Sequence, residues 1–282
     1  MIRRAALLVA LGGLAGAGPA RAQGEPLRVM SFNIRYGTAR DGDDAWPLRR
    51  ERTVTVIRDA APDILSVQEA LRFQLDELGA AFPAYREIGV GRDDGRTAGE
   101  YAAILYRADR LSADSSGTFW LSDTPEVPGS MSWGNRITRI ATWALLRDRT
   151  TGARFAVVNV HLDHESQPSR ERGAALVLAR MGRHAAGLPV VFTGDFNSGE
   201  DNAAVRSVTA AGFVDTWRVR HPDAAFPGTF SAFRGDSTGP KIDYVFVRGP
   251  WDVADAAILR ARPGGRDASD HFPVTALLIL RT

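Results

Sequence analysis

Asp195 and Asn197 stand two residues apart at the end of an apolar run, 189–198, in which Val190, Val191 and Phe192 lead through Thr193-Gly194 into polar residues. Such a run reads as a buried strand closed by a sharp turn. Side chains two apart share a face of an extended chain, so a carboxylate and a carboxamide there can address one ion or one phosphate together. The same pair can also form an Asx turn that only caps its own backbone. The other strand ends decide between the two. His161 closes the run 154–161 and is followed by Leu162-Asp163-His164; Glu69 closes 62–69; Asn33 lies at the end of 27–34. Asp243 stands near the start of 241–247, and Asp270-His271 precede a terminal strand that runs to Leu280. Each residue has an ordinary structural use; a Glu at a helix start, for instance, is favoured by the helix dipole. Their recurrence at nearly every core-strand terminus points instead to a shared site. Oxygen ligands suit a hard divalent cation, and imidazoles suit proton transfer. An Asp beside a His suits a ring whose second nitrogen is oriented by a carboxylate.

Alternating apolar strands and amphipathic helices must position these residues. Strands are expected over 27–34, 62–69, 101–106, 140–146, 154–161 and 241–247, with one or two more within 111–121 and a hairpin at Thr150-Thr151-Gly152. Pro47 opens a helix over 48–61 with Val54, Ile57 and Ala61 on one face. A second helix runs through Leu71, Leu75 and Leu78, a long one spans 165–186 with Pro168 at its start, and a short one covers 202–211. The loop 35–45 carries Asp41, Asp43 and Asp44 but lacks the closing Glu of a calcium loop, so it reads as solvated. Trp46 reads first as a packing residue and second as a surface for stacking substrate. The Gly-rich charged stretch 89–99 is expected near the ligand face.

Composition narrows the classes. Residues 1–22 combine a basic start, a short apolar run and an Ala20-Arg21-Ala22 cleavage pattern, which predicts a signal peptide and a periplasmic or secreted protein. Arg3-Arg4 leaves both the general and the twin-arginine export routes open. Removing the three arginines of that segment takes the formal net charge from +2 to −1, so the basic pI is no nucleic-acid footprint. Lys241 is the only lysine, and the arginines are scattered. No run is long enough to span a bilayer, and no Cys is present for a disulfide or a lipid anchor. Residues 23–282, about 260 of them, fit one catalytic domain, expected to be a monomer.

The segments SFNI, QEA, GEYAAILYR, VNVHLDH, VVFTGDFNS, KIDYVFV and SDHFPV run in this order from Ser31 to Val274. Together they resemble the endonuclease/exonuclease/phosphatase superfamily, the DNase I-like metal-dependent phosphoesterases. That resemblance implies an α/β fold of α+β type: a four-layer αββα sandwich, two mixed β-sheets packed face to face with helices outside. It also implies a Mg²⁺ or Mn²⁺ ion held by Glu69 with help from Asn33 and Asp270. His271, oriented by Asp243, would accept a proton from the attacking water. Asp195 would position that water or share in metal binding, and Asn197 would donate hydrogen bonds to the phosphate. His161 would stabilise charge on the phosphate oxygens, and Glu100 would pair with His161.

Arg139, just before the strand 140–146, is expected to grip a phosphate with its planar fork. Asn135, Arg136, His164 and Trp46 complete the substrate-binding candidates, with Arg136 read somewhat more readily as the partner of a surface carboxylate. The expected reaction is hydrolysis of a phosphodiester or phosphomonoester, with a small substrate favoured over long nucleic acid because the charge is low. A nuclease and a sphingomyelinase-like phospholipase are the alternatives within the superfamily, although no basic amphipathic helix is evident for a membrane surface. A non-catalytic binding module is the alternative outside it. Against that, every motif position carries a residue able to do the chemistry.

Overall fold

The computed structural model describes residues 25–225, 227–235 and 238–281, so the expected signal peptide lies outside the described residues. Twelve strands form two six-stranded sheets. The first has the order β11 (Trp251–Ile258), β12 (Val274–Leu280), β1 (Leu27–Asn33), β2 (Ile64–Ala70), β4 (Tyr101–Arg107), β3 (Tyr85–Ile88). The second has the order β5 (Leu111–Trp120), β6 (Ile140–Asp148), β7 (Arg154–His161), β8 (Val190–Asp195), β10 (Asp243–Arg248), β9 (Val214–Asp215). Each sheet contains one parallel pair, β1 with β2 and β7 with β8, among antiparallel neighbours. Parallel neighbours need a crossover, and here a helix supplies each one: α1 (Trp46–Ala60) and α3 (Gln167–His184). No helix among the described residues is long and apolar enough to cross a membrane.

The apolar residues sort into four layers, as expected. Val29, Ile64, Ile104, Leu146, Val157, Val191, Val245 and Leu278 interdigitate between the sheets. Met30, Phe32, Leu65 and Val67 pack outward against Val54 and Ile57 of α1 and against Leu75 and Leu78 of α2 (Arg72–Ala81). Val158, Val160 and Phe192 pack outward against Val177 and Met181 of α3 and Val205 of α4 (Ala203–Ala210).

Along the inward face the chemistry changes by steps of two residues. Val29, Ser31 and Asn33 follow one another on β1; Val157, Asn159 and His161 on β7; Val191, Thr193 and Asp195 on β8, all buried. The middle members join the sheets through a polar stratum. Thr193 Oγ1 donates to Ser66 Oγ at 2.7 Å, Gln68 Nε2 donates to Asn159 Oδ1 at 2.7 Å, and Asn159 Nδ2 donates to the carbonyls of Val67 and Ala103 at 2.9 Å. Buried polar groups that satisfy one another in this way hold the sheets in a single register beneath the site.

Several elements depart from expectation. The short edge strand β3, the strand β11 and the helical turn α5 (Thr216–Arg220) carry no clear apolar periodicity and were not anticipated. Residues 111–120 form one strand with a register shift between Ala113 and Ser115. The strand ending at Glu69 in the sequence reading runs on to Ala70, with a register shift between Gln68 and Ala70.

Candidate active site

The carboxyl ends of both parallel pairs meet at a cavity of about 590 Å³. Its walls include Glu69, Asp195, Asp270 and His271 together with Arg92, Arg139, His161 and His164. Gln68 already occupies the inward position at the end of β2, so alternation alone would turn Glu69 away from the cavity. The bulge prevents this. Glu69 is the extra residue and adopts φ 63°, a left-handed conformation that re-aims its side chain. Of seven described non-glycine residues with positive φ, five line the cavity: Arg35, Glu69, Asn197, Ala232 and Phe233. Backbone strain of this kind persists only where surrounding contacts impose it, and it collects at functional sites.

Asp195 is the hub. Its Oδ2 accepts from Asn33 Nδ2 at 2.8 Å and lies 3.6 Å from His161 Nε2 and 3.8 Å from His271 Nε2. Its Oδ1 accepts from the Asn197 backbone N–H at 2.8 Å, so the Asx turn is real and coexists with the functional reading. Burial, with the nearby Asp243 charge added, pushes the Asp195 carboxyl up to about 7. Asp243, opposite Asp195 in register, accepts from His271 Nδ1 at 2.9 Å, as expected. Burial alone would lower His271, yet the carboxylates of Asp243, Asp195 and Asp270 hold it well above the ordinary imidazole value.

Arg139, also in the cavity wall, is buried. Its Nη1 lies 3.1 Å from His161 Nε2, its Nη2 lies 2.8 Å from His164 Nδ1, and its Nε pairs with Asp163 Oδ2 at 3.4 Å. A guanidinium can only donate, so both histidine nitrogens must be acceptors. Burial and the charges of Arg139 and Arg92 lower His161 well below its usual value, which keeps the ring neutral. His161 therefore orients a cation and does not supply one.

Five expectations are corrected. Glu100 does not pair with His161; it accepts from both terminal nitrogens of Arg92, on the loop 89–99, at 2.5 and 2.9 Å. Arg136 lies at the surface in a bidentate pair with Glu165 at 2.8 and 2.9 Å, away from the cavity lining. Asn135 is also absent from that lining, its side-chain atoms buried without partners. Trp46 is 2% exposed and donates Nε1 to Glu77 at 2.7 Å, so its packing role holds and its stacking role falls. Asn33 sits beneath the cavity with its amide nitrogen bridging Asp195 and Glu69 Oε1 (3.0 Å), while its oxygen accepts from the Arg35 N–H. In this arrangement it braces the two carboxylates instead of offering them a third oxygen.

Sequence reasoning missed Arg92, Arg35 and Arg49. Arg49 is wholly buried and donates Nη1 to the carbonyls of Ile34 and Ala268 and Nη2 to that of Arg35. With Thr53, one turn on, it ties α1 to the backbone just before Asp270. The only signal was the spacing of 49, 53 and 57 on the inner face of α1, where a charged residue reads as solvated.

The donor set fits a hard divalent cation. Ligand atoms of Glu69, His161 and Asp195 lie within 4.8 Å of one another, and so do those of Asp195, Asp243 and His271. Asp243 Oδ1 is buried without a partner, and burial raises Asp270. Acceptors facing acceptors across a buried space is the arrangement that a cation relieves.

Two face-to-face mixed sheets with a carboxylate and histidine cluster at their joined ends define a DNase I-like phosphoesterase scaffold. The chain belongs to the Endonuclease/Exonuclease/phosphatase family, whose model matches residues 30–271. Members are metal-dependent phosphoesterases and nucleases acting on phosphate esters. A family protein from Bacteroides vulgatus is 36% identical with a TM-score of 0.85, over 91% of this chain and 100% of that one. A mannosyl-6-phosphatase from Bacteroides thetaiotaomicron is 34% identical with a TM-score of 0.83, over 89% and 99%. The Ccr4 exoribonuclease subunit of Emericella nidulans is 23% identical over 71% of this chain, and the match spans only 39% of that protein.

Proposed function

We propose that this protein is an exported phosphomonoesterase that removes a terminal phosphate from a small phosphorylated compound, a sugar phosphate being the favoured class. The observation that carries this reading is the meeting, in one cavity of about 590 Å³, of a carboxylate cluster (Glu69, Asp195, Asp270) with the buried Arg139. A terminal phosphate can lie between such groups, with its charge spread over three outer oxygens. The 34% identity to a mannosyl-6-phosphatase supports it, and the cavity suits a compact ligand. Export rests on the leader-like residues 1–22.

Glu69, Asp270 and Asp195 would hold Mg²⁺ or Mn²⁺. When bound, such an ion supplies Lewis acidity toward a phosphate oxygen. Asp243 fixes the proton of His271 on Nδ1 and leaves Nε2 to take a proton from the attacking water. Three carboxylates raise the basicity of that imidazole, and a cation held by Asp195 and Asp270 would offset part of that rise. Arg139, held by two neutral imidazoles, keeps its remaining N–H groups for the phosphate oxygens. The water oxygen bonds to phosphorus as the ester P–O bond breaks, and the departing alkoxide is protonated by solvent.

The test is hydrolysis by residues 23–282, with and without Mg²⁺ or Mn²⁺. Substrates would be hexose 6-phosphates, mono- and bis-p-nitrophenyl phosphate, RNA, plasmid DNA and sphingomyelin. Metal-dependent release of phosphate from the monoesters is the expected result. Cleavage of the diester or of nucleic acid without cleavage of any monoester would overturn the reading.

A further inference from the structure

Arg35 lines the cavity but has no part in the chemistry above. Its backbone is left-handed, at φ 57°, and three bonds hold it there. Its N–H donates to Asn33 Oδ1 at 3.0 Å, and its carbonyl accepts from Arg49 Nη2 at 2.8 Å and Gln74 Nε2 at 3.0 Å. Such over-determination is what keeps a disfavoured conformation in place. The result is a guanidinium set among three carboxylates. Nε and Nη2 donate to Asp41 at 3.2 and 3.1 Å, Nη1 lies 3.9 Å from Glu69 Oε2, and Nε lies 3.7 Å from Asp270 Oδ2.

The contacts are unequal in kind. Asp41 holds the fork by two hydrogen bonds, whereas Glu69 and Asp270 are approached only at ion-pair distance. Glu69 and Asp270 are two of the three carboxylates proposed to hold the divalent ion. A guanidinium stays charged at any working pH, so it cannot leave by losing its proton. We propose that Arg35 is a resident counter-cation of the metal site: it competes with the divalent ion for Glu69 and Asp270 and sets a weak resting affinity. Asp41 is the anchor that remains when the ion takes the other two carboxylates. Arg35 then keeps one pair of N–H groups facing the cavity, where the substrate phosphate is the remaining anion.

This inference rests on the metal-dependent reading above, and its test reads metal binding instead of turnover. Mn²⁺ binding to residues 23–282 would be titrated by the electron paramagnetic resonance signal of the free ion. Wild type would be compared with Arg35→Gln and with Arg35→Asn, the latter because Asn tolerates a left-handed backbone. Circular dichroism would confirm the fold of each. Removing one positive charge beside a divalent site should lower the Kd for Mn²⁺ by roughly tenfold in both variants. At saturating Mn²⁺ both should show a raised KM for a phosphate monoester. Unchanged or weaker Mn²⁺ binding in both variants would overturn the competition. Absence of Mn²⁺ binding in the wild type would remove the metal-dependent reading as well, so the two failures are distinguishable.

Discussion

In the unit β7–α3–β8, His161 and Asp195 reach the cavity by plain alternation along straight strands, side by side in register. In β1–α1–β2, Asn33 arrives in the same way, but Glu69 reaches the cavity only because the chain breaks its alternation with a left-handed bulge. The units share connectivity and differ in what they deliver. The first sheet gives Glu69 and, at the entrance to β12, Asp270 and His271: two groups suited to holding a cation and one suited to taking a proton. The second gives Asp195, which faces the same cation site, the Asp243 that orients His271, and His161 with Arg139, which are suited to gripping an anion. A scaffold with two similar halves can thus bring metal-binding, proton-accepting and phosphate-gripping groups together as distinct sets drawn from both sheets.

That division is broken most directly by comparing Glu69→Gln with His271→Ala. His271→Ala removes the proton acceptor, and kcat should fall by about 10² to 10⁴ at every metal concentration. Glu69→Gln should weaken metal affinity by about tenfold to a hundredfold, with much of kcat recovered in excess Mn²⁺. Steady-state rates across a metal titration separate them. Recovery of His271→Ala by metal, or failure of metal to help Glu69→Gln, would dissolve the division of labour.

Arg139→Lys sharpens the second half of the comparison. Three guanidinium nitrogens are engaged with Asp163, His161 and His164, and an ammonium cannot meet that planar set while also facing a phosphate. The expected loss in kcat/KM on the best monoester is roughly tenfold to a hundredfold, the range of one to two charged hydrogen bonds. A wild-type value would remove Arg139 from phosphate binding.

The metal side also predicts a pH dependence. Asp195 is pushed up to about 7, so its proton competes with the cation increasingly below about pH 7, and Asp270, also raised by burial, adds to that competition. Because both folded values lie above the unfolded ones, the metal-free protein loses their contribution to stability as pH rises, that of Asp195 between about 4 and 7. Added Mg²⁺ should therefore raise Tm more at pH 8 than at pH 6, with apparent affinity changing by at most about tenfold per proton per pH unit. An equal or smaller shift at pH 8 would contradict the assignment of these carboxylates to the metal.

Most strands and helices and the strand-end residues were legible because period-two and period-3.6 patterns are local, whereas the two-sheet, four-layer arrangement was implied only by the family resemblance. Asp195, His161 and Asp243 sit where alternation places them. Glu69 was found at the right position for an incomplete reason, since nothing in Ser66-Val67-Gln68-Glu69-Ala70 announces the bulge. The bulge is decided by pairing with β4, a contact across the sheet. Arg92, Arg35 and Arg49 were not legible because an arginine is ordinarily solvated, and only the assembled fold shows which ones face carboxylates or carbonyls indoors. β3 and β11 escaped because edge strands with mixed burial carry no clean alternation.

Arg136 gives the smallest predicted effect and tests whether position relative to the cavity, and not residue type, decides function. It lies three residues before Arg139 in the same approach to β6, and in the sequence only Arg139 was favoured for phosphate, with Arg136 read sooner as the partner of a surface carboxylate. In the fold they part. Arg139 is 3% exposed between two imidazoles, while the Arg136 side chain is 78% exposed and meets Glu165, itself 44% exposed, in a bidentate surface pair. Solvent screens that pair and side-chain entropy offsets it, so such contacts contribute about 0–1 kcal/mol. Arg136→Ala should leave kcat/KM on the best monoester within about twofold of wild type and shift Tm by no more than a degree or two. Thermal melts and steady-state kinetics on Arg136→Ala beside Arg139→Lys provide the check. If Arg136→Ala lost as much activity as Arg139→Lys, the second sheet's phosphate grip would extend beyond the cavity onto the surface, as it would in an enzyme whose substrate is long enough to lie across that face.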